Sequence, residues 1–194
     1  DKSKLVSNIP KYYFTSNIWG KLVDISECYY SVQLLTDATI EIYISDKSRL
    51  HREVNLLENR LAQDKKDANL EDFQKLFIVN DDVIIDEPHT IKKVSVKDYL
   101  KCWHDKFKTT PKAKLKLIKL SSAEGAIGGS DIKDIGIFGN VLGIQSITNN
   151  NSDHFVAEDL VFHFNFDVNK VDKYKRNFRT IFNSATDLQL FFDK

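Results

Sequence analysis

The stretch from Ile18 to Leu61 constrains the fold of this chain more than any other. It alternates as three short extended segments and then changes to helical period. In 18–25, Trp19, Lys21, Val23 and Ile25 fall on one side and Gly20, Leu22 and Asp24 on the other. In 30–35, Tyr30, Val32 and Leu34 alternate with Ser31, Gln33 and Leu35, and in 39–44 Ile40, Ile42 and Ile44 alternate with Glu41 and Tyr43. Asp37-Ala38 reads as the turn between the last two. Ser45 or Asp46 can cap a helix, and Leu50, Val54, Leu57 and Leu61 then form one apolar stripe. Three strands followed by an amphipathic helix predict the start of a small closed barrel.

The remaining pattern extends this reading. A short helix is predicted over 70–77, a fourth strand over 83–85 and a fifth over 91–96, so that 18–96 reads β-β-β-α-β-β. A helical turn over 99–107 and a strand over 115–120 follow. Residues 121–130, with Gly125, Gly128 and Gly129, form the one Gly/Ser-rich stretch and the expected boundary. The expected organisation is a barrel over 1–120 and a sheet-and-helix extension over 121–194, as two domains or one. In the extension, strands at 135–144 and 155–168 pair across an Asn-rich loop. A terminal helix over 170–192 carries Val171, Tyr174, Phe178, Ile181, Ala185 and Leu188 on one face.

Composition narrows the class. With 194 residues, 42% hydrophobic and 29% charged, the chain can bury a core beneath an ordinary polar surface. No apolar run approaches the roughly 20 residues of a membrane-spanning helix, so no membrane contact is expected. The N-terminus lacks an apolar signal core, and the absence of Met reads as a processed or excised chain. Cys28 and Cys102 are expected to be free thiols in a reducing compartment, nuclear or alternatively cytoplasmic.

Net charge is zero, but residues 88–120 hold ten lysines against two aspartates. Lys92, Lys93, Lys97 and Lys101 lie there among Tyr99 and Trp103. Lysines neutralise phosphates and aromatic faces accept unpaired bases, so these six residues are the nucleic-acid candidates. The plainer alternative is a solvated lysine face over core aromatics. Phe178, Ile181 and Phe182 make the terminal helix more apolar than a one-sided surface helix requires, and are the candidate protein-docking residues. The plainer alternative there is burial against the preceding strands. No His/Cys set stands at zinc spacing, the carboxylates Asp81, Asp82, Asp86 and Glu87 read as a solvated turn, and the glycine loop lacks Gly-Lys-Ser/Thr. No cofactor, metal or catalytic residue is expected, and the chain reads as a non-enzyme.

The motif Trp19-Gly-Lys-Leu-Val-Asp-Ile25, the hairpin Leu34-Leu-Thr-Asp-Ala-Thr-Ile-Glu-Ile-Tyr43 and the Leu50/Val54/Leu57/Leu61 stripe together resemble OB-fold subunits. Among these they are similar to subunits of telomere-capping CST-type complexes and of telomerase-associated complexes, over residues 18–96. The resemblance implies an α+β, mainly antiparallel OB-type barrel with an inserted helix, followed by a C-terminal hairpin and amphipathic helix. It implies a non-catalytic subunit that binds single-stranded DNA, a partner OB subunit, or both. The alternatives are a PH-like barrel capped by its C-terminal helix, and a protein–protein scaffold without nucleic acid.

Overall fold

The computed structural model describes residues 4–7, 14–35, 47–62, 70–83, 85, 95–129, 132, 134–148 and 160–192. Among these residues eight strands form one mixed sheet: β1 (Lys4–Ser7), β2 (Cys28–Leu35), β3 (Asp72–Val79), β4 (Ala113–Lys119), β5 (Ile135–Phe138), β6 (Leu142–Thr148), β7 (Leu160–Asn165) and β8 (Thr186–Asp187). Their spatial order is β1-β7-β6-β5-β2-β3-β4-β8. β2, β3 and β4 run parallel, and every other pairing is antiparallel. Strands from both sides of the 120/121 division therefore share the sheet. The expected OB-type barrel is overturned: the strands make an open mixed sheet with a parallel centre.

Helices cover both faces. A π-helical turn, Phe14–Ile18, leads into α1 (Trp19–Ile25). The others are α2 (Lys47–Leu61), α3 (Val96–Phe107), α4 (Leu120–Ala126), α5 (Val168–Ser184) and α6 (Leu188–Phe192). One core packs α1, α2, α3 and α6 against Tyr29, Phe73, Phe77 and Phe138. The other packs α4 and α5 against Tyr30, Val32, Leu76 and Ile137. Parallel strands need crossover connections, and α2 and α3 are those crossovers.

Two predicted elements reverse type. Residues 18–25 are helical, because Trp19 and Val23, four apart, are the buried pair, while Ile25 is 73% exposed. Residues 70–77 belong mainly to β3. A strand buried on both faces loses its polar alternation, and the Leu70, Phe73 and Phe77 spacing imitates a helix. The predicted strand at 83–85 is not one in its described residues: Asp82 and Ile85 lie in turns. The segments 39–44 and 91–94 lie outside the described residues, and Ser95 belongs to the next helix as its cap. Its hydroxyl accepts from the Asp98 N–H at 3.1 Å while Asp98 accepts from the Ser95 N–H at 3.3 Å, a reciprocal capping box.

Several predicted elements are present. The Val54, Leu57 and Leu61 stripe is buried on α2. The 99–107 helix is present as α3, whereas the single strand expected over 135–144 is divided by a tight turn at Gly139, with φ 58°, into β5 and the start of β6. β6 pairs with β7. The terminal helix is shorter than expected: it stops at Ser184, and Ala185 and the two residues of β8 separate it from α6. Among the described residues both cysteines are free, no helix is long and apolar enough to cross a membrane, and no group of three or more His, Cys, Asp or Glu could hold a metal.

Candidate functional site

β2 alternates across the centre of the sheet, so Tyr29, Ser31 and Gln33 face α2 and α3 while Tyr30 and Val32 face α5. Polar side chains on the inward face of a central strand need partners. Gln33 has them: its amide N–H donates to Tyr99 Oη at 2.8 Å, and that hydroxyl donates back to Gln33 Oε1 at 3.1 Å. Ser31 lies in a different setting. In register it sits between Lys75 of β3 and Gly136 of β5, with Ile144 of β6 beyond the glycine.

Above this row is a cavity of about 590 Å³, within the usual size of a small-molecule site. Its floor is the Lys75–Ser31–Gly136–Ile144 row and its roof is the α2 face bearing Arg52, Glu53 and Asn59. Phe14, Trp19 and Phe162 close one side. The glycine keeps the floor low. A Cβ on Gly136 would meet the Phe138 ring at 3.2 Å and the Tyr29 ring at 3.3 Å. Arg60 on α2 pairs with Asp24 on α1, which ties the two helices together beside the cavity.

Lys75 gives the site its character. It is 3% exposed, on a strand whose same-face neighbours Phe73 and Phe77 are fully buried. Its ammonium donates to Ser31 Oγ at 3.5 Å and lies 3.7 Å from Glu53 Oε1. It also stands 4.3 Å from the Trp103 ring centroid and 5.4 Å from that of Phe77, within cation–π range. Tyr29 extends the polar set. Its hydroxyl accepts from Trp19 Nε1 at 3.2 Å, and its ring stacks on Phe138 at 4.6 Å. Burial pushes the Tyr29 phenol well above its ordinary range, and the nearby Glu53 charge adds to that; hydrogen bonds from Trp19 and Ser31 oppose it. A second buried lysine, Lys175, differs: it donates to Gly139 O at 3.4 Å and bonds Asn140, and so holds α5 to the β5–β6 turn.

The residues singled out in the sequence lie elsewhere. Lys92 and Lys93 are outside the described residues. Lys97 and Lys101 are exposed on α3, and Lys101 pairs with Asp105 one turn along. Tyr99 and Trp103 are on the opposite, buried side of that helix, 4% and 0% exposed. The helix therefore separates these lysines from the aromatics they were grouped with. Trp103 instead packs on the same face of the sheet as α2, with its ring against the Lys75 ammonium. Phe178, Ile181 and Phe182 are buried on α5, with Phe178 stacked on Tyr30 at 5.3 Å. Lys75 and Ser31 are not among the residues that charge or spacing points to. The available signal is a lysine inside the apolar run Phe73–Val79, and polar residues at two positions of β2 on the Tyr29 face, Ser31 and Gln33.

No protein-family model matches the chain, and no curated protein does. Among solved structures it is similar to TrmBL2, described as an archaeal chromatin protein with a novel mode of DNA binding, at 8% identity and TM-score 0.47. That match covers 91% of this chain but 52% of the other, so this chain spans about half of that protein. It is also similar to NucT from Helicobacter pylori, at 15% identity, 92% and 96% coverage and TM-score 0.47. A third is Nuc from Salmonella typhimurium, a phospholipase D family member, at 7% identity, 87% and 86% coverage and TM-score 0.46. The non-enzymatic, telomere-type module is corrected along with the barrel it was read from. The sheet is an open mixed one and not an OB barrel, which removes the basis of that reading. The expectation of a non-enzyme goes with it.

Proposed function

We propose that this protein binds a small ligand bearing an acidic group, phosphate or carboxylate, in the cavity over the Lys75–Ser31–Gly136 row. One observation carries the reading: an ammonium 3% exposed forms part of the floor of a 590 Å³ cavity. Burying a charge costs several kcal/mol, and an apolar residue of similar volume often serves stability as well or better. Lys75 lies between Phe73 and Phe77 on its strand face, where Leu or Met would pack readily. A charge retained there, paired with Glu53 and lining a cavity, suits an anionic ligand. Arg52, exposed on α2, offers a second cation, and Ser31, Asn59 and Ser146 offer hydrogen bonds from three sides. The aromatic wall of Phe14, Trp19 and Phe162 suits an apolar or planar remainder.

The test is thermal denaturation in the presence of phosphate monoesters and small carboxylates, with chloride at equal ionic strength as control. A ligand at a hundred times its dissociation constant adds about 2.7 kcal/mol of stability. Saturable stabilisation should occur in the native protein and vanish in Lys75→Met. Equal stabilisation of both proteins would overturn the assignment.

A further inference from the structure

Ser31, Lys75 and Glu53 form a chain of contacts that ligand binding alone does not require. Lys75 Nζ reaches Ser31 Oγ at 3.5 Å and Glu53 Oε1 at 3.7 Å. The three groups come from β2, β3 and α2, and all of them line the cavity. A hydroxyl next to an amine that is itself oriented by a carboxylate has the logic of a Ser–Lys nucleophile. Such contacts are commonly loose before substrate binds and tighten in its complex. Ser31 is 6% exposed and lines the cavity, with the Tyr29 and Phe138 rings over the neighbouring Gly136.

Resting on the ligand-binding reading above, we propose that Ser31 is a nucleophile and that the ligand is a carboxylic ester that also bears an acidic group. Ser31 Oγ attacks the ester carbonyl carbon. As that C–O bond forms, Lys75 passes one proton to Glu53 and takes the hydroxyl proton. It returns a proton to the departing alkoxide as the ester C–O bond breaks, and regains its own from Glu53. Alcohol leaves and an acyl-serine remains. Water then attacks the acyl carbon by the same relay, releasing the acid and restoring Ser31. No electrons are exchanged with an outside reagent. Arg52, an exposed residue of the cavity lining, supplies positive charge for the developing oxyanion or the acidic group.

The test is labelling with an alkyl fluorophosphonate, followed by peptide mass spectrometry, with p-nitrophenyl butyrate turnover on the same samples. One adduct is expected, on the peptide containing Ser31. It should be absent from Ser31→Ala and slowed about a hundredfold in Lys75→Met, the scale of a lost proton-transfer group. Turnover should start with a burst and disappear in Ser31→Ala. An adduct on another residue, or undiminished labelling of Ser31→Ala, overturns the proposal. So does the absence of an adduct in native protein that acidic ligands still stabilise, in which case the binding reading survives. Loss of that stabilisation as well removes both. If Ser31→Ala does not fold, Ser31→Cys reports access instead: iodoacetamide should alkylate Cys at position 31, and protection of that thiol from reagent contradicts a nucleophile open to the cavity.

Discussion

Removing either partner of the Lys75–Glu53 pair should have unequal effects on stability. The Lys75 side chain is 3% exposed and that of Glu53 is 18% exposed, at 3.7 Å separation. With an effective dielectric constant near 20, their attraction is about 4.5 kcal/mol, much of it offset by desolvation. In Lys75→Met the new side chain fits among Phe73, Phe77 and Trp103, the ammonium no longer needs burying, and Glu53 can turn towards water. The net loss should be about 1 kcal/mol, chiefly the cation–π contact with Trp103. In Glu53→Gln the ammonium stays buried and loses its counter-charge, a change that costs about 3 kcal/mol at the low end of the range for buried pairs. Urea unfolding of the two variants and of the double variant checks this. The double variant should be more stable than Glu53→Gln alone, because it removes the uncompensated charge. If Glu53→Gln is as stable as Lys75→Met, Glu53 does not anchor the ammonium and the polar chain over β2 is not built as described.

Other consequences follow from the same geometry. Phe178→Ala should lose about 3–5 kcal/mol in urea unfolding, since the ring is 1% exposed and stacked on Tyr30 and Phe182; a loss under 1 kcal/mol would mean that α5 is held some other way. Gly136→Ala should cost about 1–3 kcal/mol through overpacking and weaken ligand binding, with contacts of 3.2 and 3.3 Å to two rings; unchanged stability and affinity would contradict the low floor. Burial raises the phenols of both Tyr29 and Tyr30. Their neutral forms therefore favour folding, a contribution complete below about pH 10 and lost as pH rises above the unfolded value. Absorbance titration should show two tyrosines resisting ionisation until the protein unfolds, and full ionisation of the folded protein near pH 10 would refute it. The hydrogen bond from Lys101 holds the Asp105 carboxyl below its ordinary range; NMR titration of Lys101→Ala should show it return upward, and an unmoved midpoint would rule out that cause.

Much of the scaffold was legible where one face of an element is polar. The stripe on α2, the alternation of β2 and the helical spacing of α5 each give one clean period. The failures share a cause. β3 is covered on both faces, so Leu76 and Ile78 point one way while Phe73 and Phe77 point the other, and no polar rhythm remains. In 18–25 the same residues satisfy both periods, and tertiary packing of Trp19 and Val23 decides for the helix. The site was illegible for a related reason. Ser31 and Gln33 look like the wet side of an alternating strand, yet they face the interior. Lys75 becomes unusual only once 72–79 is a buried strand. The lysine band stands out because charge density is visible in sequence, whereas which side of α3 each residue occupies is not visible until the helix is placed.

The central claim is that Lys75 is the floor of an anion-binding cavity, and its own nitrogen reports on that most directly. In protein carrying 15N-labelled lysine, with the Lys75 resonance assigned from its loss in Lys75→Met, titration with a phosphate monoester or small carboxylate should move the Lys75 Nζ signal saturably. The exposed Lys97 and Lys101 signals should stay within the shift produced by chloride. A Lys75 resonance that does not move while the surface lysines do would contradict the account.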